Sequence, residues 1–142
     1  MKVSAGIAIL YLDKVLMAHA KSSPWYKSYT PPKGGVEEGE SHIDAAVREL
    51  QEETGIRVDK RKLLSPVEVP YIDNRGKTYK IVVLFPMRIE SLEEIGLKEE
   101  KVPLSQLQVE EVDEVRFMEE NELIVRALPR YLETLKSLIN LC

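Results

Sequence analysis

The segment from Ser41 to Ile56 constrains the fold more than any other part of the chain, because its apolar residues recur with a helical period. They fall at i, i+3, i+4 and i+7, the spacing of one buried helical face. These residues are Ile43, Ala46, Val47 and Leu50. Ser41 can cap the N-terminus, with Asp44 three residues later, and Gly55 stands where helices often end in a left-handed residue. The sequence therefore predicts a helix with both ends marked.

The opposite face of this helix carries three carboxylates, those of Glu49, Glu52 and Glu53. Their i+3 and i+4 spacing places them in one patch, where like charges repel by roughly 0.2–0.5 kcal/mol per pair. They also lie in the last turn, where the helix dipole disfavours anions. A solvated acidic face is one interpretation. A hard divalent cation is the other, because Mg²⁺ takes one or two protein carboxylates together with water and substrate phosphate.

The carboxylates belong to a longer pattern of fixed residues. It runs Gly34, five residues, Glu40, seven residues, Arg48-Glu49-Leu50, one residue, Glu52-Glu53, one residue, Gly55-Ile56. This pattern resembles the Nudix box, the signature of a family of diphosphate hydrolases, and every fixed position is filled. The match covers residues 34–56 and does not by itself indicate which diphosphate is cleaved.

The resemblance implies a metal site and names its ligands. Glu49 and Glu53 are implied as direct ligands of Mg²⁺, with Mn²⁺ as the alternative metal. Glu52 is implied as a ligand or as the general base that takes a proton from the attacking water, and we favour the base. The backbone carbonyl of Lys33, just before the box, is implied as a further oxygen ligand.

Other residues of the motif have expected structural roles. We expect Gly34 and Gly39 to let the loop turn tightly and to bring its backbone close to the metal and phosphates. Glu40 and Arg48 are expected to pair and to tie this loop to the helix, and Gly55 to end the helix.

A later acidic run offers one more candidate ligand or base. In some members of the family this group comes from an acidic loop downstream of the box. Four carboxylates precede Val115-Arg116-Phe117 here, and they are Glu110, Glu111, Asp113 and Glu114. Glu111 is the best placed of them by resemblance, with a solvated acidic run as the alternative.

Residues 29–40 resemble one branch of the family more closely. The segment Tyr29-Thr30-Pro31-Pro32-Lys33-Gly34 is similar to that of asymmetric diadenosine tetraphosphate hydrolases, which cleave dinucleoside polyphosphates. The sequence departs from this branch at Gly35, where His is common, and at Tyr29, where Trp is usual. The resemblance to the branch therefore does not fix the exact substrate.

The same branch suggests residues that hold the substrate. Tyr71 is a candidate platform for stacking a base and Tyr79 a weaker one, with ordinary strand aromatics as the alternative. Lys33 and Lys77 are candidates for contacting the phosphate chain, and Arg75 and Lys80 are further cations for that role. In the loop before the box, Trp25 either covers the core edge or forms a substrate wall, whereas His19 is expected to be structural.

The rest of the chain is predicted to be mainly strands. Runs rich in apolar, β-branched and aromatic residues predict strands at Val3–Tyr11, Val15–His19, Val67–Tyr71 and Thr78–Ile89, and an alternating pattern predicts one at Val112–Met118. Residues 21–32 and 91–108 are predicted loops, and an amphipathic C-terminal helix follows Pro129. The predicted fold class is α+β, with residues 1–142 forming one domain. The resemblance implies the same fold: a Nudix-type α/β/α sandwich, its mixed sheet flanked by the box helix and the C-terminal helix.

Composition limits the expected partners. The chain has 24 acidic and 20 basic residues, a formal charge of −4, and so lacks the basic footprint of proteins that grip a long nucleic acid. A small phosphorylated nucleotide is the expected substrate, since a bound metal supplies positive charge. The N-terminus has no cleavage-site pattern and no apolar run reaches membrane-spanning length. With Cys142 as the only cysteine, a cytoplasmic location without disulfides or membrane contact is expected.

Two classes of function remain open. The first is a metal-dependent pyrophosphohydrolase that cleaves a nucleoside diphosphate linked to another moiety, above all a dinucleoside polyphosphate such as diadenosine tetraphosphate. Its alternative substrates are (d)NTPs or oxidised nucleotides, RNA 5′ ends, ADP-ribose and diphosphoinositols. The second class is a non-catalytic nucleotide-binding Nudix module. The intact Glu49, Glu52 and Glu53 favour the hydrolase. The sequence indicates no oligomeric state.

Overall fold

Strand β1 (Lys2–Tyr11) lies in the middle of a six-stranded mixed sheet in this computed structural model, which describes residues 1–140. Cys142, on which the expectation about disulfides rests, lies outside these residues. The other strands are β2 (Lys14–Ala20), β3 (Lys33–Gly35), β4 (Val67–Ile72), β5 (Thr78–Ile89) and β6 (Val112–Glu119). The helices are α1 (His42–Thr54), α2 (Glu120–Arg126) and α3 (Pro129–Ile139).

The sheet order is β4-β5-β1-β2-β6, with β3 added beside β1. Strands β1 and β5 run parallel, from Lys2 opposite Lys80 to Tyr11 opposite Ile89, and all other pairs are antiparallel. Both predicted hairpins and the last predicted strand are present. The prediction of a mixed sheet between helices is confirmed.

Strands β1 and β2 separate soon after their hairpin, and this separation creates the site. They pair only at Leu10 with Val15 and at Tyr11 with Lys14, after which β2 follows β6. Residues 30–35 fill the gap: the Thr30 backbone bonds to Ala18, and β3 pairs with the first half of β1. The gap thus places the start of the box against the central strand.

The structure corrects one expectation about the box loop. Gly34 does not lie in a tight turn: it belongs to the extended strand β3 and pairs with Ala5. Gly39, in contrast, has a φ of +77° and makes the turn that was predicted. The sequence missed β3 because glycine and proline rarely occur in strands, and only pairing with β1 extends this segment.

The two faces of the sheet bury separate apolar cores. Helix α1 covers one face with side chains that include Ala46 and Leu50, and α3 covers the other with Tyr131 and Leu135. Full burial of one such leucine contributes about 1.5–3 kcal/mol. This is the predicted α/β/α arrangement.

Helix α1 begins and ends where the sequence indicated. The Ser41 hydroxyl accepts a hydrogen bond from the Asp44 amide at 3.1 Å, and Gly55 adopts a left-handed φ of +73°. Pro129, which was expected to precede the C-terminal helix, is the first residue of α3, where its missing N–H costs nothing. No helix within residues 1–140 is long and apolar enough to cross a membrane.

Candidate functional site

A cavity of about 400 Å³ lies between β2 and β3, at the C-terminal end of α1. The residues around it come from both strands, from α1 and from the loop before β6. Those predicted from the sequence are Lys33, Gly34, Glu49, Glu52, Glu53 and Glu111. The structure thus brings together the candidate ligands from three separate parts of the chain.

Arg48 organises the acidic side of this cavity. Its Nε and Nη2 donate to the Glu40 carboxylate at 2.8 and 3.0 Å, which is the predicted pair. Its Nη1 also donates to Glu49 at 2.8 Å and to Glu52 at 3.2 Å. Hydrogen bonds from Arg48, aided by the Glu37 backbone, lower the pKa of the Glu40 carboxyl to about 2. One guanidinium therefore fixes the loop and orients two of the box carboxylates.

Glu53 is the most perturbed carboxyl group of the cavity. Burial raises its pKa to about 8, and the negative charge of Glu49 adds to this, whereas Lys33 opposes it. Burial also raises the pKa of Glu49, while its bond with Arg48 acts in the opposite direction. Two desolvated carboxylates that repel each other form an environment that a cation would stabilise.

The backbone of Lys33 faces this carboxylate pair. In an antiparallel strand, successive residues direct their N–H and C=O groups to alternate sides. Pro32 and Val36 bond towards β1, and the Gly35 carbonyl accepts from Arg48 at 2.9 Å on the opposite side. Lys33 has the same alternation as Gly35, and its amide bonds to Glu53. Its carbonyl therefore points to the side on which a metal ligand is required.

Gly34 is needed for a reason that the sequence could not indicate. A Cβ at this position would lie 2.1 Å from the Cδ and from one carboxylate oxygen of Glu49, far inside van der Waals contact. A Cβ at Gly35 would meet nothing within 4 Å. The first glycine of the box thus leaves room for the Glu49 carboxylate.

The loop before β6 is attached to the end of α1. The Gln108 amide donates to the Glu53 carbonyl at 3.0 Å, and Gln106 Nε2 donates to the Thr54 carbonyl at 3.1 Å. These bonds satisfy carbonyls that have no partner within the helix. They also place Glu111 near Glu53, whose pKa its charge raises slightly. Sequence reasoning missed both glutamines because helix-end bonding depends on tertiary contact.

The neighbouring acidic residues are engaged elsewhere. Asp113 bonds to Nδ1 of His19 at 2.6 Å, and Glu114 accepts from the Tyr29 hydroxyl and from Arg116. His19 is fully buried and its Nε2 also bonds to the Pro24 carbonyl at 2.9 Å. Of the four acidic candidates, only Glu111 lines the cavity.

Trp25 packs against His19, the residue that binds Asp113. Its indole stacks on the imidazole with 3.9 Å between ring centroids, and it remains 53% exposed. It is absent from the cavity lining, so the structure places it at the edge of the fold beside a structural histidine.

Four cations lie close together on the α3 face of the sheet, and Lys33 is one of them. Burial lowers the pKa of Lys80 to about 8, and the positive charges of Lys33, Lys2 and Arg130 contribute. Lys33 and Lys80 were recognised from the sequence, whereas Lys2 and Arg130 were not. Their proximity depends on strand register and on helix packing, which no local pattern reveals.

Tyr71 adjoins these cations and does not line the cavity. Its hydroxyl bonds to that of Tyr131 at 2.8 Å, and the Arg130 guanidinium lies 3.9 Å from its ring centroid. Tyr79 is half exposed and meets Tyr71 edge-on at 6.2 Å. Lys77 lies in the β4–β5 turn, where its amide bonds to Asp73. The structure thus gives the Tyr71 ring a guanidinium as its neighbour, where the sequence predicted a base.

The donor set fits a hard divalent ion. Within residues 1–140, no three carboxylate, histidine or cysteine side chains converge into a complete cage. Mg²⁺ does not need one, because water and substrate phosphates complete its octahedron. Glu49, Glu52, Glu53, Glu111 and Lys33 all line the cavity, and their carboxylates and the Lys33 carbonyl are its candidate oxygen donors.

The NUDIX domain profile matches residues 1–140. The chain therefore belongs to the Nudix family, as the box indicated.

Individual known proteins are similar to this chain in sequence or in structure. Over 72 residues the chain is 36% identical to an ADP-ribose pyrophosphatase from Methanocaldococcus jannaschii, covering 51% of this chain and 43% of that protein. An Ap4A hydrolase from C. elegans, solved as a binary complex, superposes with a TM-score of 0.61 at 23% identity, covering 98% and 93% of the two chains.

A third similar protein is larger. It is a bifunctional NMN adenylyltransferase/ADP ribose pyrophosphatase from Francisella tularensis, solved with AMP and a manganese ion. The TM-score is 0.67 at 20% identity, over 98% of this chain and 42% of that one. Two of the three comparisons therefore cover less than half of the other protein, and the likeness to both solved structures concerns the fold.

Proposed function

We propose that this Nudix domain is a metal-dependent pyrophosphohydrolase that cleaves a phosphoric anhydride bond in a nucleotide. The observation that carries the proposal is the pair of desolvated carboxylates, Glu49 and Glu53, facing the Lys33 backbone in an open cavity. A divalent ion bound there neutralises phosphate charge and lowers the pKa of water. A module that only bound nucleotide would have no need for this costly arrangement.

The chain's own residues orient and accept protons. Arg48 holds Glu49 and Glu52 at one edge of the cavity, so both carboxylates keep a fixed direction. Glu52 has a side chain 48% exposed, which leaves it open to water. We assign Glu52 as the general base, with Glu49, Glu53, Glu111 and the Lys33 carbonyl holding Mg²⁺ or Mn²⁺.

A dinucleoside polyphosphate is the proposed substrate. Three features support this choice: the resemblance of residues 29–40, the similarity to an Ap4A hydrolase along nearly the whole chain, and the row of cations beyond Lys33. A chain of four phosphates has the length and charge to contact such a row. ADP-ribose is the second candidate, favoured by the 36% identity to an ADP-ribose pyrophosphatase.

A panel of diphosphate compounds, assayed with Mg²⁺ and resolved by product, tests the substrate. We expect diadenosine tetraphosphate to give ATP and AMP, with oxygen-18 from labelled water in the AMP. Much more efficient turnover of ADP-ribose or of a mononucleotide would show that the proposed dinucleotide substrate is wrong and that the better compound is the substrate. If no compound in the panel is hydrolysed with Mg²⁺ or Mn²⁺, the hydrolase proposal is wrong.

Replacement of Glu53 by Gln tests the metal site. The amide is neutral and no longer repels Glu49, so in metal-free buffer Glu53→Gln should melt no lower than the parent protein. Turnover should fall by several orders of magnitude, and Mg²⁺ should stabilise the parent protein but not the variant. Glu38→Gln, an exposed change in the same box, is the matched control and should behave as the parent protein. An active Glu53→Gln enzyme would contradict the assignment.

The expected cytoplasmic location and the extent of the domain stay predictions. Imaging of a tagged chain in its host would test the location.

A further inference from the structure

The α3 face of the sheet holds a cluster of cations that the metal site does not use. Cross-strand pairing places Lys80 opposite both Lys2 on β1 and Tyr71 on β4. Residues directly opposite each other project from the same face, so the three form one row. Lys33 pairs with Gly6 on β1. Gly6 is four residues after Lys2, and residues an even number apart on a strand share a face, so Lys33 projects from that face as well.

Helix α3 adds the fourth cation. Arg130, its second residue, is exposed and lies with its guanidinium carbon 3.9 Å from the Tyr71 ring centroid, while Lys80 Nζ is 4.9 Å from the same centroid. The Tyr71 hydroxyl is bonded to buried Tyr131, which fixes the ring. The ring therefore holds the planar guanidinium in one place and reduces the entropy lost when it binds a ligand.

The carboxylates nearest this cluster act on it only at long range: the charges of Glu53 and Glu49 reach Lys33 without forming an ion pair with it. Within residues 1–140, Lys2, Lys33, Lys80 and Arg130 form no ion pair. The chain as a whole is acidic, with a net charge of −4, so acidic side chains are not scarce. Like charges held together without a paired counter-charge destabilise a fold, and this arrangement is explained by an anion that binds between them.

We propose that Arg130, held on Tyr71, forms with Lys80, Lys33 and Lys2 a site for an oligophosphate chain. The inference rests on the proposed function, since Lys33 joins this site to the cavity. It gives Tyr71 a role different from the base platform predicted from sequence: Tyr71 is a positioning residue for Arg130. Arg130 then discriminates between substrates by the number of phosphates beyond the bond that is cleaved.

Binding of inorganic tripolyphosphate without metal provides the direct test. Calorimetry in EDTA should detect binding to the full chain, and Arg130→Gln should weaken it by about tenfold or more, as expected for lost charge-assisted bonds. Arg61→Gln removes an equal charge from a distant turn, where Arg61 is 86% exposed and pairs with Asp59, and should leave binding unchanged. Equal affinities for the parent protein and Arg130→Gln, or no binding by the parent protein, would overturn the proposal.

Variants of Tyr71 separate positioning from simple charge. Tyr71→Phe keeps the ring and should retain most of the affinity, whereas Tyr71→Leu should weaken tripolyphosphate binding. In Tyr71→Leu, adding Arg130→Gln should cost less than it does alone, because the two residues act together. Full additivity would show that Tyr71 does not position Arg130. If Tyr71→Leu fails to fold, Tyr71→Phe and Arg130→Gln still decide the outcome.

Kinetics distinguish this inference from the proposed function. Arg130→Gln should raise KM for diadenosine tetraphosphate by about tenfold with little change in kcat, because contacts far from the reacting phosphorus bind ground and transition states alike. KM for ADP-ribose, which has only two phosphates, should change much less. An equal change for both substrates would contradict the chain-length role while leaving the hydrolase intact. If the parent protein hydrolyses nothing but binds tripolyphosphate, and Arg130→Gln loses that binding, this site would stand without the proposed function.

Discussion

At the scale of single residues, the absence of one methyl group determines where the Glu49 carboxylate, a proposed metal ligand, can lie. The Glu49 carboxylate occupies the space that a side chain at Gly34 would fill, as the 2.1 Å approach shows. Arg48 holds the same carboxylate from the other side at 2.8 Å. Glu49 is therefore positioned by steric room and by charge together.

Gly34→Ala should damage the site more than the fold. The flexible Glu49 side chain can move away from the added Cβ, so the free energy of unfolding should change little, while metal affinity and kcat/KM fall about 10- to 100-fold. Gly35→Ala is the matched control, since its Cβ would meet nothing within 4 Å. Metal titration calorimetry and thermal melting measure the two effects. Equal metal affinities for the two variants would show that Glu49 does not need this space.

At the scale of elements, Arg48 links α1 to the strand and loop that precede it. It donates to Glu40 in the loop, to the Gly35 carbonyl on β3 and to Glu49 on its own helix. Its side chain is 25% exposed, so these bonds form partly out of water. The relative position of α1 and β3 therefore depends on one side chain.

Arg48→Ala should lower both stability and rate. Four carboxylates would lose their counter-charge, and a lost bond to a charged group typically costs about 1.5–3 kcal/mol. Chemical denaturation should therefore show a loss of about that size, whereas Arg61→Ala, on an exposed turn, should leave the free energy of unfolding nearly unchanged. Lost activity with unchanged stability would instead place Arg48 on the substrate.

Local patterns predicted the elements whose causes are local. Helix α1 and its caps follow from spacing and end residues, and the hairpins follow from runs of strand-forming residues on either side of short polar turns. Strand β3 could not be predicted, because Lys33–Gly35 becomes a strand only beside β1. The same limit applies to the site: the box identified Glu49, Glu52 and Glu53, whereas Gln106, Gln108 and Arg130 act through contacts with distant segments.

At the scale of the whole molecule, the two cores share the central strand. Ile7 and Ile9 of β1 belong to the core under α1, while Ala8 and Leu10 belong to the core under α3. Loss of either core would expose one face of the same strand. The two faces should therefore unfold together.

Core truncations on opposite faces should give the same single transition. Leu50→Ala and Leu135→Ala should each cost about 2–5 kcal/mol. In both variants far-UV circular dichroism and the fluorescence of Trp25, the only tryptophan, should report one midpoint. Separate midpoints in either variant would show that the faces unfold independently.

The separation of β1 from β2 also has a consequence for amide exchange with solvent. Along most of its length β1 is bonded on both sides, so its amides should exchange only when the entire chain opens. Strand β3 has three residues and its outer side is bonded to side chains, those of Glu53 and Arg48. Its amides should exchange through smaller and more frequent openings. The time for which the proposed metal ligands stay assembled would then follow the lifetime of three backbone residues and not that of the sheet.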